Sequence, residues 1–345
     1  MLKVRQCPWA RAFGLALVGV AMTVSGASEV SADAHYPDDH APIGIMGDHV
    51  HEPGEIMLSY RFMHMAMDGN RDGTDGLGDG EVLEQGFMVT PTRMRMDMHM
   101  FGAMYGVTER LTAMVMLPWI DTGMDHVTKS GGRFTTRSNG IGDAKVSVLG
   151  QVFEDQGHGL VARAGVSVPT GSISKRDETP MGKQRLPYPM QLGSGTVDLL
   201  PGLVYTGRMN AMSWGTDLGG TIRLGENSKD YTLGDRFVGS GWVAYRWLPW
   251  LSTSFRVIGD VTGNIDGADP ALNPAVVPTA DPDRRGGERV ALGLGANVRF
   301  SGGLFEGHRI SVEVNRPVYQ DLDGPQLETD WSMTAGWQKD WDLMD

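Results

Sequence analysis

The chain has 345 residues, 48 of them glycine, a single cysteine and a formal charge of −12. That acidity argues against nucleic acid or an anionic membrane surface as partner. Cys7 falls in a removable leader, so the remaining chain has no thiol, which excludes cysteine metal sites and cysteine nucleophiles.

Lys3, Arg5 and Arg11 precede an apolar run from Phe13 to Val24, and Ala32-Asp33-Ala34 offers a small-residue cleavage site. This is the layout of a signal peptide, and the run is too short to span a bilayer. The predicted organisation is a signal peptide over 1–34, a periplasmic N-terminal segment over 35–54 and a β-barrel over 55–341. No stretch after residue 34 is long and apolar enough for a transmembrane helix, so a membrane position requires a closed barrel.

From Glu55 onward apolar and polar residues alternate, the period of strands with one apolar and one polar face. Twelve segments are predicted, near 55–67, 92–106, 110–120, 140–153, 158–168, 196–207, 210–225, 236–248, 250–262, 288–301, 307–318 and 329–341. Each is about ten residues long, enough to cross a bilayer at a tilt. Long connections at 68–91, 121–139, 169–195, 226–235, 263–287 and 319–328 alternate with short turns. The expected fold is therefore all-β: an up-and-down antiparallel transmembrane barrel in the outer membrane, with long outer loops and short periplasmic turns. Aromatics at strand ends, among them Trp119, Tyr205, Trp214, Tyr245, Trp247, Trp331 and Trp341, suit an interfacial girdle.

The polar parity is expected to line the lumen through Arg61, Arg93, Arg95, Asp97, Asp143, Lys145, Arg163, Arg223, Arg256, Arg299 and Glu313. Two readings stay open. Such a face can be a packed, ion-paired lumen or a charged constriction that passes small solutes.

Asn139-Gly140-Ile141-Gly142-Asp143 opens one strand, and Val168-Pro169-Thr170-Gly171 ends the next. This pair resembles the outer-membrane transporter family named for the MetA pathway of phenol degradation. The resemblance covers mainly residues 139–171. It implies an outer-membrane channel, linked by name to aromatic or hydrophobic compounds, with no catalytic residues to carry over. A barrel phospholipase is also twelve-stranded and places a histidine two residues before the serine of a Ser-Asn-Gly. Here Ser138-Asn139-Gly140 is present but Thr136 occupies that position, and a hydroxyl cannot serve as general base. The expectation is that the protein is not an enzyme.

Methionines crowd the first three segments, and His35, His40, Met46, His49 and His51 lie upstream. Thioether and imidazole ligands suit Cu+. Alternation places Met63, Met65 and Met67 on the face of Arg61, inward, with His99, Met114 and Met116 as further candidate ligands. It places Met94, Met96, Met98 and Met100 opposite Arg93 and Arg95, toward lipid, where methionine is apolar filler. Asp68, Asn70, Asp72, Thr74 and Asp79 have the spacing of an EF-hand loop and make Ca2+ a second candidate ion. The reading is a channel or transporter for small solutes, with the lipid bilayer and the solute as partners and copper handling as the alternative.

Overall fold

Residues 36–342 are described by a computed structural model. The expected signal peptide over 1–34 lies outside the described residues. No helix in them is long and apolar enough to cross a membrane. The architecture is all-β.

Every strand is antiparallel to its neighbours, and the ladder closes on itself. The ring runs Glu55–Gly73, Val89–Thr108, Leu111–Thr128, Ala144–Asp155, His158–Val168, Gly202–Met209, Met212–Leu224, Arg236–Leu248, Leu251–Thr262, Gly287–Arg299 and Arg309–Asp342. Eleven continuous strands thus close the wall among the described residues, and the last returns to pair with the first. That last strand, 34 residues long, makes two passes. Its first part, from Arg309 to Leu322, pairs antiparallel with Gly287–Arg299, and its second pairs antiparallel with Glu55–Gly73. The direction of travel reverses around Gly324-Pro325, where a Cβ on Gly324 would collide with the Arg71 carbonyl. Gln320 and Thr329 exchange hydrogen bonds across the fold-back. Counted by passes, the barrel has the twelve expected.

The strands near the N-terminus run well beyond the predicted segments. Half of the expected loop 68–91 and most of 121–139 is strand, because Glu55–Gly73, Val89–Thr108 and Leu111–Thr128 have 19, 20 and 18 residues. Only about ten of these are needed to cross a bilayer, so the wall stands well clear of the apolar belt on the long-loop side. The belt itself is contributed all round the ring, by Phe101, Val115, Leu117, Val148, Val166, Leu203, Val243, Phe255, Leu294 and Val312, all exposed. A soluble barrel would not leave such a band uncovered, whereas lipid requires it.

The resemblance motif has a structural task. The predicted segment 140–153 divides into Arg133–Ile141 and Ala144–Asp155, and the break falls on Gly142 and Asp143. The Asp143 carboxylate accepts hydrogen bonds from the Gly171 and Ser194 backbone N–H groups at 2.8 and 2.7 Å. Thr170 donates to the Gly142 carbonyl at 2.7 Å and accepts from the Ala144 N–H at 2.9 Å. Gly142-Asp143 and Pro169-Thr170-Gly171 therefore form one clasp at the rim. Asp143 lines this clasp and not the open lumen.

Two faces of the rim can be told apart by labelling. A cysteine at Ser130, on the long-loop side, should react with a membrane-impermeant maleimide on intact cells. A cysteine at Ser301, in a short connection, should react only after the outer membrane is permeabilised. The opposite pattern would reverse the orientation.

Candidate functional site

The segment from Tyr36 to Gly54, expected beneath the barrel in the periplasm, instead runs into the lumen as a plug. Its contacts come from all round the wall. The Arg309 guanidinium, buried, donates to the Ala41 carbonyl at 2.8 Å, to Asn297 at 2.9 Å and to Gln338 at 2.7 Å. Arg163 donates to the Met46 carbonyl, Arg208 pairs with Asp39 at 2.5 Å, and the Arg246 guanidinium stacks 3.6 Å over the Tyr36 ring. On the other side the His51 N–H donates to Thr112 at 2.7 Å. The physical reason is a shortage of partners. A ring of inward arginines needs acceptors, and an irregular backbone supplies free carbonyls that a paired strand cannot.

The inward faces fall into two halves. From Ala144 onward the polar parity points inward as expected: Lys145, Arg163, Arg223, Arg256, Arg299 and Glu313 sit there with a lining of serines and asparagines. Arg256 donates to Glu313 at 2.5 Å with both side chains buried, and Arg163 lies 3.7 Å from Asp217. Asp198 holds Arg223 in an ion pair, and Arg299 lies 3.7 Å from Asp340. Gly44 of the plug passes so close to Arg256 and Glu313 that a Cβ there would clash with both. Arg163, Arg223, Arg256 and Arg299 are thus each set against an acid.

The other half is methionine. Arg61 is inward and buried, and Met57, Met63, Met65 and Met67 share its face. The second strand, however, is turned the other way from the expectation. Met94, Met100 and Met104 are buried, whereas Arg93 and Arg95 are largely exposed. Arg93 pairs with Asp68 on the outside at 2.9 Å, Asp97 holds His64 at 2.6 Å, and His99 accompanies Tyr60 and Phe62 on the outer surface. Arg93, Arg95, Asp97 and His99 are thus removed from the lumen. The outward face of this strand is apolar only over the part that meets lipid. Its upper part stands above lipid, where the outer face is solvated and charged.

With both strands placed, the methionines meet in register. Met63 faces Met98, Met65 faces Met96 and Met67 faces Met94 on the neighbouring strand; Met104 faces both Met57 and Met114. Met114 and Met116 are inward, as expected. Near the short turns, Met57, Met100, Met104, Met114 and Met116 pack with Leu149 and Val161 against Met46 and Val50 of the plug. Toward the long loops, Met94 and Met124 pack with Leu186, Met190 and Leu327, with Met67 and Met96 alongside. Met63–Met98, beside the first cluster, and Met65–Met96, at the edge of the second, are successive facing pairs, so methionine runs along most of this wall, with Arg61 the charged residue on the same face. Loop packing covers its outer end: Tyr188 and Tyr231 stack edge to face at 4.9 Å, and burial pushes the Tyr231 phenol up to about 12.

The calcium candidates are not brought together. Asp68 pairs with Arg93, Asn70 is buried and donates to the Pro91 carbonyl, and Asp72 accepts from the Gly324 N–H. Thr74 lies in the turn of a hairpin in which Asp72 faces Asp75, and Asp79 begins a short helix, Asp79–Glu84. A strand sends successive residues to opposite faces, which an EF-hand loop does not. Ser138 donates to the Met190 carbonyl at 2.6 Å and lies 3.0 Å from Thr122, while Thr136 is buried beside it on the same strand.

The plug holds a compact set of titratable groups that the strand pattern does not reveal: His40, Asp48, His49 and His51. Burial alone would raise the Asp48 carboxyl, but the charge and hydrogen bond of His49, together with His40 and the Ala41 N–H, hold it well below the usual range. Burial opposes protonation of His49, yet Asp48 outweighs it and raises the imidazole. Burial and the neighbouring His49 lower His40 well below its ordinary value.

No family model matches the chain, and no curated protein does. Among solved structures, an outer membrane channel from Pseudomonas putida F1 aligns over 85% of this chain and 98% of its own, with TM-score 0.61 and 11% identity. The P. putida toluene transporter TodX aligns over 85% of this chain and 93% of its own at TM-score 0.42 and 10% identity. A Pseudomonas aeruginosa FadL homologue covers 84% and 90%, at TM-score 0.39 and 10% identity. The first likeness shows the fold, that of an outer membrane β-barrel; the two looser ones carry no further weight.

The buried Arg256–Glu313 pair gives a stability test. Glu313→Ala should cost about 3–5 kcal/mol, because it strands a buried guanidinium. Arg256→Met combined with Glu313→Leu should cost clearly less. Urea unfolding of the detergent-solubilised barrel, followed by gel mobility, reads both.

Proposed function

We propose that the barrel is an outer-membrane channel for small hydrophobic solutes, gated at its inner end by the plug. One observation carries the reading: the methionine track. A porin lumen is polar and water-filled, whereas the first three strands of this barrel line most of their inward face with methionine, from the loop side down to the plug. Methionine is unbranched and polarizable, so such a wall adapts to apolar molecules of different shape. The paired arginines opposite hold the plug by its carbonyls and leave the solute the greasy side. The P. putida barrel of the same fold is an outer membrane channel, and the resemblance of Asn139–Asp143 and Val168–Gly171 to the MetA-pathway family points to aromatic or hydrophobic compounds. Passage requires the plug to shift, since Met46 and Val50 close the lower end of the track.

Uptake of radiolabelled toluene by cells lacking their own hydrophobic-solute channels tests this. Expression of the protein should raise uptake, and Met63→Asp with Met98→Asp, a facing pair, should lower it several-fold while the folded band persists on gels. Deletion of residues 36–50 should raise ionic conductance in planar bilayers. Uptake indifferent to the Asp pair would remove the track from the mechanism.

The same methionines support a second reading, Cu+ handling, because thioethers are soft ligands. Both methionine strands face inward, so Met63, Met65 and Met67 replaced by leucine, or Met94, Met96 and Met98 likewise, should each weaken Cu+ binding. Leucine roughly conserves volume, so folding should persist. Copper affinity unchanged in both sets would end that reading.

A further inference from the structure

We propose that the plug carries a binding site for a divalent transition-metal ion, formed by His40, Asp48 and His49 with His51 beside them. The proposal is independent of the transport reading and of the methionine track. Ligand atoms of His40, Asp48 and His49 all lie within 4.8 Å of one another. The His40 and His49 rings are 4.5 Å apart edge to face, and the His49 and His51 rings 4.7 Å apart.

The unsatisfied atoms point to an ion. His49 holds Asp48 through Nδ1 at 3.0 Å, and its Nε2 is buried without a partner. His51 holds Glu55 through Nδ1 at 3.1 Å, and its Nε2 is likewise buried and unpartnered, in a side chain only 3% exposed. His40 Nδ1 is buried without a hydrogen bond, 3.9 Å from Asp48. Leaving one such atom unsatisfied costs about 1–3 kcal/mol, and this short segment of the plug carries three of them. A carboxylate behind Nδ1 that leaves Nε2 bare is how proteins orient metal-binding histidines. Glu55 supplies it to His51, whereas Asp48 is itself a candidate ligand and would exchange its hydrogen bond with His49 for the ion.

The donor set decides the class of ion. Imidazoles and a carboxylate, with no thiolate, suit Zn2+, Cu2+ or Ni2+ and not Ca2+. Arg309 and Arg61 are nearby positive charges, but Arg309 is spent on Ala41, Asn297 and Gln338, and Asp48 offsets them. The ligands come from both arms of the turn between His40 and Asp48, so a bound ion would staple that turn and stiffen the plug.

Calorimetric titration of the full-length barrel in detergent with Zn2+ and with Cu2+ tests the site. One ion per chain should bind, with affinity falling about tenfold or more in His40→Ala with His49→Ala and unchanged in His64→Ala, on the outer surface. Cu2+ electron paramagnetic resonance of the unaltered protein should show coupling to at least two imidazole nitrogens, a readout that needs no variant to fold. No binding of either ion, binding undiminished in the double variant, or a Cu2+ spectrum without nitrogen coupling would each overturn the proposal.

Discussion

Closure of the hydrogen-bonded ring is the constraint on which the rest of this protein depends. In lipid no water is present to satisfy a free strand edge, so the first strand must find the last. The pairing of Glu55–Gly73 with the final strand does this over most of its length. Once the ring is closed, each strand is committed to one face for lipid and one for the lumen. Lipid then makes no demand on the lumen face, because that face never meets it, and polar or apolar filling is decided by what packs inside.

That freedom is used unevenly. Strands from Ala144 onward fill the interior with arginine, acid and small polar residues, whereas the first three fill it with methionine. The plug reconciles the halves. Its carbonyls and aspartates answer the arginines, Ala41 and Ile45 pack on Val204 and Trp242, and Met46 and Val50 pack on the methionines. A segment with regular secondary structure could not do this, since its backbone acceptors would already be used. The plug's irregularity is therefore part of how it is held.

Tight polar packing and an apolar track in one lumen also give the interior a mechanical division. Buried ion pairs such as Arg256–Glu313 are costly to break, so that side is stiff. Methionine contacts are soft and interchangeable. Any movement of the interior is cheapest along the methionine side, where few charges have to be stripped of a partner.

Much of this was legible in the sequence. Alternation, segment length and the rhythm of long and short connections determined a twelve-pass barrel, because side-chain period and lipid thickness act locally on each strand. The inward places of Arg61, Arg163, Arg256 and Glu313 followed from the same rule. Three things were decided only in the tertiary structure. Which way Met94 to Met104 turn depends on how far the second strand projects past lipid, since the polar-inward rule lapses where the outer face meets water. Where residues 36–54 lie depends on inward arginines brought from opposite sides of the ring, which no local pattern records. The meeting of His40 with Asp48 and His49 depends on the turn of the plug that brings residues 40 and 48 together. Strand faces are a local property; partnerships across a lumen exist only once the ring has closed.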